Sequence, residues 1–325
     1  MALRWGILGA ANFAAQQMGP AIHAARDNAL VALATSTADK AARFKAFAPG
    51  IEVFADYDAL LASDAVDAVY IPLPNHLHVD WTLRALDAGK HVLCEKPIAL
   101  SAPEIERIIE KRDQTGLMAA EAFMIVHHPQ WHRVRELLAQ GAVGELRHVD
   151  VTFSFNNPDP ANIRNRAETG GGSIPDIGVY AYGAVRFATG AEPEGMTARV
   201  RRENGVDTWA QANCLFSGGG HRFTYSGITS TRLANRQDIV FQGDEGTITL
   251  NAPFNAGVFD LAQVHLRRGM TVTSDRYPNV NQYVLQVEAF ARAVRTGEDY
   301  DCPLEFSRGT QAMIDSVLAA AVELE

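Results

Sequence analysis

Residues 3 to 14 read Leu3-Arg4-Trp5-Gly6-Ile7-Leu8-Gly9-Ala10-Ala11-Asn12-Phe13-Ala14. Leu3 to Leu8 has the length and apolar character of a buried strand. Gly9 to Ala14 is a turn of small residues, and helical periodicity follows to about Ala25. A strand that ends in such a turn and opens a helix leaves free backbone N–H groups and the positive end of the helix dipole facing one point. A pyrophosphate can bind there. The dinucleotide fingerprint in this setting is G-x-G-x-x-G/A. Gly9 and Ala14 take its outer positions, and Ala11 replaces the middle glycine. Gly9, Ala11, Asn12 and Phe13 are the residues this reading places against a dinucleotide. A tight strand–helix turn with no ligand is the plainer alternative.

Working outward, the alternation continues. Strands are predicted near 30–35, 68–72, 91–95 and 117–122, with helices near 39–47, 58–61 and 79–88. Val79, Leu83 and Leu86 share one helical face. Ser101 and Glu104 have the form of a capping box, ahead of the buried stripe Ile105, Ile108, Ile109 and the stop at Gly116. Repeated strand–helix units imply right-handed crossovers and a doubly wound parallel sheet, the Rossmann arrangement. After the second strand comes Thr35-Ser36-Thr37, followed by Lys40 and Arg43. Hydroxyls beside cations suit a 2′-phosphate better than a bare ribose hydroxyl, so NADP is expected over NAD, with Ser36, Thr37 and Lys40 as contacts. The alternative is that Lys40 and Arg43 are merely solvated helix charges.

The period changes after about residue 145. Val149, Val151, Phe153 and Phe155 alternate with polar residues, the mark of a sheet with one wet face. A helix is predicted over 176–188. Hairpin signals follow at Asn204-Gly205, Ser217 to Gly220 and Glu245-Gly246, and two helices near 280–296 and 308–324 close the chain. The expected class is α/β plus α+β: a Rossmann domain over 1–122 and a predominantly antiparallel open-sheet domain over 123–325 for substrate binding and oligomerisation.

Composition excludes several classes. The 325 residues suit two domains, and 47% hydrophobic with 21% charged residues is an ordinary globular balance. The net charge of −9 without a basic run argues against a nucleic-acid partner. Three scattered cysteines form neither a disulfide framework nor a zinc motif. His127, His128 and His132 lack a zinc-protease pattern, so no metal is expected. No stretch has the ~20 apolar residues of a membrane span. A cytoplasmic protein is expected.

Two segments stand at predicted carboxyl ends of parallel strands, where such sheets bind ligands. They are Pro72-Leu73-Pro74-Asn75-His76-Leu77-His78 and Cys94-Glu95-Lys96-Pro97. Together with the Gly9 turn and Gly170-Gly171-Gly172-Ser173-Ile174-Pro175-Asp176-Ile177-Gly178-Val179-Tyr180, they resemble the glucose–fructose oxidoreductase and inositol dehydrogenase family. Glu121-Ala122-Phe123-Met124, His128-Pro129-Gln130, Asn162-Ile163-Arg164-Asn165 and Tyr180 are most similar to its branch of dimeric dihydrodiol dehydrogenase and NADP-dependent xylose dehydrogenase.

The resemblance implies that Lys96 is the catalytic lysine and that Asp176 and Tyr180 line the substrate site. Pro72, Leu73, Asn75, His78, Glu95 and Lys96 are expected along the cofactor edge, with Asn75 and His78 holding the nicotinamide or its ribose. Arg164 is expected to reach substrate or cofactor. Asp176 and Tyr180 are four apart and share a helix face, although Asp176 could instead be an N-cap and Tyr180 a plain core residue. The implied activity is NADP-dependent transfer of a hydride between the nicotinamide and a hydroxyl or carbonyl carbon of a sugar or cyclic polyol, an aldose such as xylose or glucose first. Oxidation of a trans-dihydrodiol, reduction of a ketosugar or dicarbonyl, and a cofactor-binding sensor without turnover are the rivals. A homodimer or dimer of dimers through the second sheet is expected.

Overall fold

The computed structural model describes residues 2–324. In chain order the first elements are β1 (Leu3–Leu8), α1 (Gly19–Ala24), β2 (Asn28–Ala34), α2 (Ala38–Lys45), β3 (Glu52–Phe54), α3 (Tyr57–Leu61), β4 (Ala68–Ile71), α4 (His78–Asp87), β5 (His91–Cys94), α5 (Ala102–Thr115) and β6 (Ala119–Glu121). They are followed by α6 (Pro129–Ala139), β7 (Leu146–Asn156), α7 (Val179–Thr189), β8 (Glu192–Glu203), β9 (Val206–Gly218), β10 (His221–Ser230) and β11 (Arg232–Gly243). The chain ends with β12 (Thr247–Leu250), β13 (Ala262–Arg268), β14 (Thr271–Tyr277), α8 (Gln282–Thr296), α9 (Leu304–Ala320) and β15 (Ala321–Glu323). Two compact units result: Met1–Met124 with Asn281–Arg308, and Ile125–Val280 with Gly309–Glu325.

The first unit holds a six-stranded sheet in the order β3-β2-β1-β4-β5-β6, with every pairing parallel. This is the doubly wound arrangement that the alternation predicts. The strand order reverses between β1 and β4, so the carboxyl ends of those strands flank the switch point where such sheets bind ligands. Strands covered on both faces read as continuous apolar runs. All four residues of β4 and three of the four in β5 are buried accordingly. Strand β3 has no counterpart in the sequence reading, because three residues at a sheet edge are too few to show a period.

Two features differ from expectation. The segment Asn281–Arg308, placed by sequence with the second domain, belongs to the first unit. The Phe290 ring lies 5.2 Å from that of Trp5, Glu288 pairs with Arg26 at 3.2 Å, and Glu305 pairs with Arg112 at 2.7 Å. Helical periodicity shows which face of α8 is apolar but not which sheet that face will cover. The capping box is also rearranged. The Glu104 carboxylate accepts from the Leu100 N–H at 3.0 Å and from the Ser101 hydroxyl at 3.2 Å, while the Ser101 side chain accepts no N–H of its own helix.

The second unit holds a nine-stranded mixed sheet in the order β14-β13-β12-β11-β7-β10-β9-β8-β15. Strand β7 lies between β10 and β11, parallel to the former and antiparallel to the latter. Strand β15 runs parallel to β8. The inner face carries Val149, Val151, Phe153, Phe223, Tyr225, Ile239 and Phe241, all buried. The helix α7 is buried along its whole length, Arg186 included. Asn204 (φ 51°) and Gly205 (φ 80°) form the two-residue left-handed turn that joins β8 to β9.

Candidate active site

In the first unit, Gly9 ends β1 with φ +101°, and its N–H donates to the Ala34 carbonyl. A side chain there would be strained and would press on Leu73 and Tyr57. The helical stretch begins at Asn12 and passes through a π turn at Ala14–Met18 before α1. Ala11 is half-buried, and Asn12 and Phe13 are exposed. The Phe13 ring meets the edge of Tyr283, on α8, at 5.6 Å. The Arg43 guanidinium donates to the Asn12 side-chain carbonyl at 2.6 Å, which ties α2 to the turn after β1. Ser36, Thr37 and Lys40 are exposed beside it. Thr37 caps α2 through its backbone only, so its hydroxyl makes no capping bond to that helix. A glycine with left-handed φ at the strand end, an open helix start, two hydroxyls and two cations fit a dinucleotide carrying a 2′-phosphate.

At the carboxyl ends of β4 and β5, Pro72 and Leu73 are buried, while Asn75 and Lys96 are half-buried. The Lys96–Pro97 bond is cis. His78, expected at the nicotinamide or its ribose, opens α4. It is fully buried, and both ring nitrogens face backbone carbonyls, of Pro97 and Leu73, each at 2.7 Å. Burial lowers its pKa, and a neutral ring donates to one of the two carbonyls at a time. At the start of α4 it lies on the inward face of that helix. It acts as a staple between the loops that carry Asn75 and Lys96.

The Glu95 carboxylate is committed within the unit, accepting from the Tyr70 hydroxyl at 2.5 Å and the Lys96 N–H at 3.3 Å. Glu121 accepts from the Ile98 N–H at 2.9 Å. Burial raises both carboxyl pKa values, and burial beside Glu95 pushes the Tyr70 phenol well up. The Glu95 carboxylate thus holds the backbone at Lys96 and the Glu121 carboxylate the backbone at Ile98. Tyr70 escaped the sequence reading, because it sits in a short apolar strand with nothing to distinguish it from core, and Glu121 entered that reading only within the motif Glu121-Ala122-Phe123-Met124, without a role of its own.

In the second unit, Asp176 lies inside a π turn, Ile174–Gly178, that leads into α7. It is not the N-cap. Its carboxylate accepts from Arg164 Nε at 2.6 Å, so Arg164 and Asp176 form one unit of charge. Tyr180 is buried against Phe153 and Phe254, with ring centroids at 5.7 and 5.9 Å. Phe153 and Phe254 are themselves stacked at 4.8 Å. The start of this helix is bonded instead by Asp207, from β9. Asp207 also escaped notice, because strict alternation along β9 places it on the wet side with Trp209 and Gln211.

The three histidines considered as metal ligands are dispersed in role. His128 caps α6 by accepting from the Gln130 N–H at 3.1 Å, and burial lowers its pKa to about 4. Among the described residues, no group of three or more His, Cys, Asp or Glu side chains is arranged to hold a metal. Among them, too, no helix is long and apolar enough to cross a membrane.

Comparison with known proteins agrees with this geometry. Residues 3–123 match the family model described as an oxidoreductase family with an NAD-binding Rossmann fold, and residues 131–249 match the GFO/IDH/MocA C-terminal domain. A dTDP-3,4-didehydro-2,6-dideoxy-alpha-D-glucose 3-reductase from Actinomadura kijaniata is 34% identical, over 99% of this chain and 96% of its own. A D-xylose 1-dehydrogenase (NADP(+)) from Haloferax volcanii is 35% identical, over 99% of this chain and 100% of its own. Among solved structures, a mutant of a 3-ketoreductase from Actinomadura kijaniata, in complex with TDP-benzene and NADP, superposes with a TM-score of 0.90 at 32% identity, covering 100% of this chain and 99% of that one. The glycine turn, the lysine at the end of β5 and the two matched domains thus lead to one conclusion: the chain belongs to the GFO/IDH/MocA family of oxidoreductases.

Proposed function

We propose that this protein is a cytoplasmic NADP-dependent oxidoreductase acting on the hydroxyl or carbonyl carbon of a sugar, with an aldose such as xylose or glucose as the first substrate to test. The observation that carries the reading is the place of Lys96. It stands half-buried just past β5, at the carboxyl edge of the parallel sheet and one strand from the switch point. The Gly9 turn, Asn12 and Phe13 would receive the pyrophosphate side of the dinucleotide, and Ser36, Thr37, Lys40 and Arg43 its 2′-phosphate. The bound nicotinamide supplies or accepts the hydride.

The chain's own residues handle binding and the proton. Lys96 exchanges a proton with the reacting hydroxyl. Glu95 holds the Lys96 backbone, and His78 braces the loop on which it sits. Tyr180 donates a hydrogen bond to the substrate, and the Arg164–Asp176 pair orients a neighbouring hydroxyl. Structures of the Actinomadura kijaniata 3-ketoreductase include variants of one lysine and of one tyrosine. Those two residues stand as many positions apart in that chain as Lys96 and Tyr180 do in this one. A second reading, reduction of a keto group on a nucleotide-linked sugar, is favoured by the similarity to that protein along almost the whole chain.

The test is a titration with NADPH and NADH, then turnover with aldoses, diols and ketosugars in wild type and Lys96→Met. The variant should bind NADPH as wild type does and lose roughly 10²- to 10⁴-fold in turnover. Turnover near the wild-type level would remove Lys96 from the chemistry. Cofactor binding with no turnover of any substrate by wild type would favour the sensor.

A further inference from the structure

We propose that Asp207 is a positioning residue that pins the start of the helix bearing Asp176 and Tyr180. This deepens the reading of those two residues as substrate-site groups and rests on it. The first N–H groups of any helix lack partners within it, and a buried helix start needs them supplied from outside. Ser173, the residue that caps the turn, makes no such bond with its own side chain. Asp207 Oδ2 instead accepts from the Ile174 N–H at 2.8 Å and from the Ser173 hydroxyl at 2.5 Å. The Ser173 hydroxyl also lies 3.0 Å from that of Thr229, on β10. Asp207, Ser173 and Thr229 are 5%, 0% and 1% exposed, so water does not compete for these bonds.

Two backbone features serve this contact. In the pairing of β8 with β9, Arg202 faces Asp207 while Arg201 faces Trp209, so Thr208 is an extra residue in β9. Such a bulge re-aims side chains, and here it turns Asp207 from the wet side of the sheet to the helix side. Gly172 has φ +122°, and a Cβ on it would stand 2.3 Å from Asp207 Oδ1. The glycine before Ser173 is therefore the space that the carboxylate fills.

The π turn makes the anchoring matter. It inserts one residue into the helical register between Ile174 and Gly178. Where that turn begins sets the direction in which Asp176 and Tyr180 project. A carboxylate suits the task better than an amide, since the helix start carries partial positive charge.

The experiment compares Asp207→Asn, Asp207→Ala and Ser173→Ala in the wild-type background and with Tyr180→Phe. Measurements are NADPH affinity, kcat and KM for the best substrate, amide exchange at Ser173 and Ile174, and thermal unfolding. Asp207→Asn should keep its NADPH affinity within about twofold and lose about tenfold in kcat, with a smaller change in KM. With Tyr180→Phe already present, the same substitution should cost less than it does in the wild-type background, because part of the loss is transmitted through that residue. Exchange at the two amides should quicken. If Asp207→Ala fails to fold, Ser173→Ala still removes one anchor and should show the same pattern at smaller size. An unchanged kcat, or an equal loss in both backgrounds, overturns the role of Asp207. Wild-type turnover by Tyr180→Phe alone overturns the reading of Tyr180, and the positioning role with it, whatever the Asp207 variants do.

Discussion

His78 and His128 show at the residue scale how burial reassigns a side chain. His78 stands where a cofactor contact is expected, yet its ring is sealed between two carbonyls and serves the loops around Lys96. Nothing local distinguishes a histidine that faces a ligand from one that faces the adjoining loop. His128 has a consequence that can be measured. Its folded pKa of about 4 lies below the ordinary value of 6.5, with burial as the cause. The unfolded chain therefore takes up a proton first as pH falls. Stability from this group is complete above about pH 6.5 and is lost as pH drops through about 4. Denaturant unfolding at pH 7 and pH 5 should show wild type losing about 2 kcal/mol more than His128→Asn, a variant that keeps a capping acceptor. Equal losses in the two proteins would show that His128 titrates normally.

At the scale of elements, the segment 162–176 is organised by its glycines. A Cβ on Gly171 would lie 2.5 Å from the Arg164 carbonyl and 2.7 Å from that of Arg166, so the loop that presents Arg164 would have to move. Gly50, by contrast, has open space around its Cβ position and no left-handed φ. Gly171→Ala should cost roughly 1–3 kcal/mol in thermal or denaturant unfolding, while Gly50→Ala should be neutral or slightly stabilising. Comparable stability of the two variants would contradict the close packing of that loop. The long elements were legible because their periods are long: β1 agrees to the residue, and α4, α5 and α8 agree to within a few positions. β3 and β15 were not, since three residues carry no period.

At the scale of the whole molecule, the outer face of the nine-stranded sheet is mixed rather than apolar. Asn213, Thr224 and Asp150 are exposed there, with Leu215, Ile228 and Val240 half-buried among them. Whole interfaces of separable partners have this balance. A second copy of the chain is our proposed occupant. Light scattering should give at least twice the chain mass of 35.3 kDa, and Ile228→Lys should shift it toward the monomer. Monomer alone for wild type at micromolar concentration would end that proposal.

The sequence by itself determined the alternation of strands and helices, the glycine turn after β1, the change of period near residue 145 and the position of Lys96 at a strand end. Each of these is written in residues close together, where a repeat of 2 or 3.6 or a turn glycine states which way the chain must face. Tertiary structure alone decided that α8 covers the first sheet, that β7 enters the second sheet between β10 and β11, that His78 turns inward and that Asp207 meets Ser173. Those are choices of partner between distant segments. They are made by which apolar faces and unsatisfied backbone groups fit together once the chain is compact.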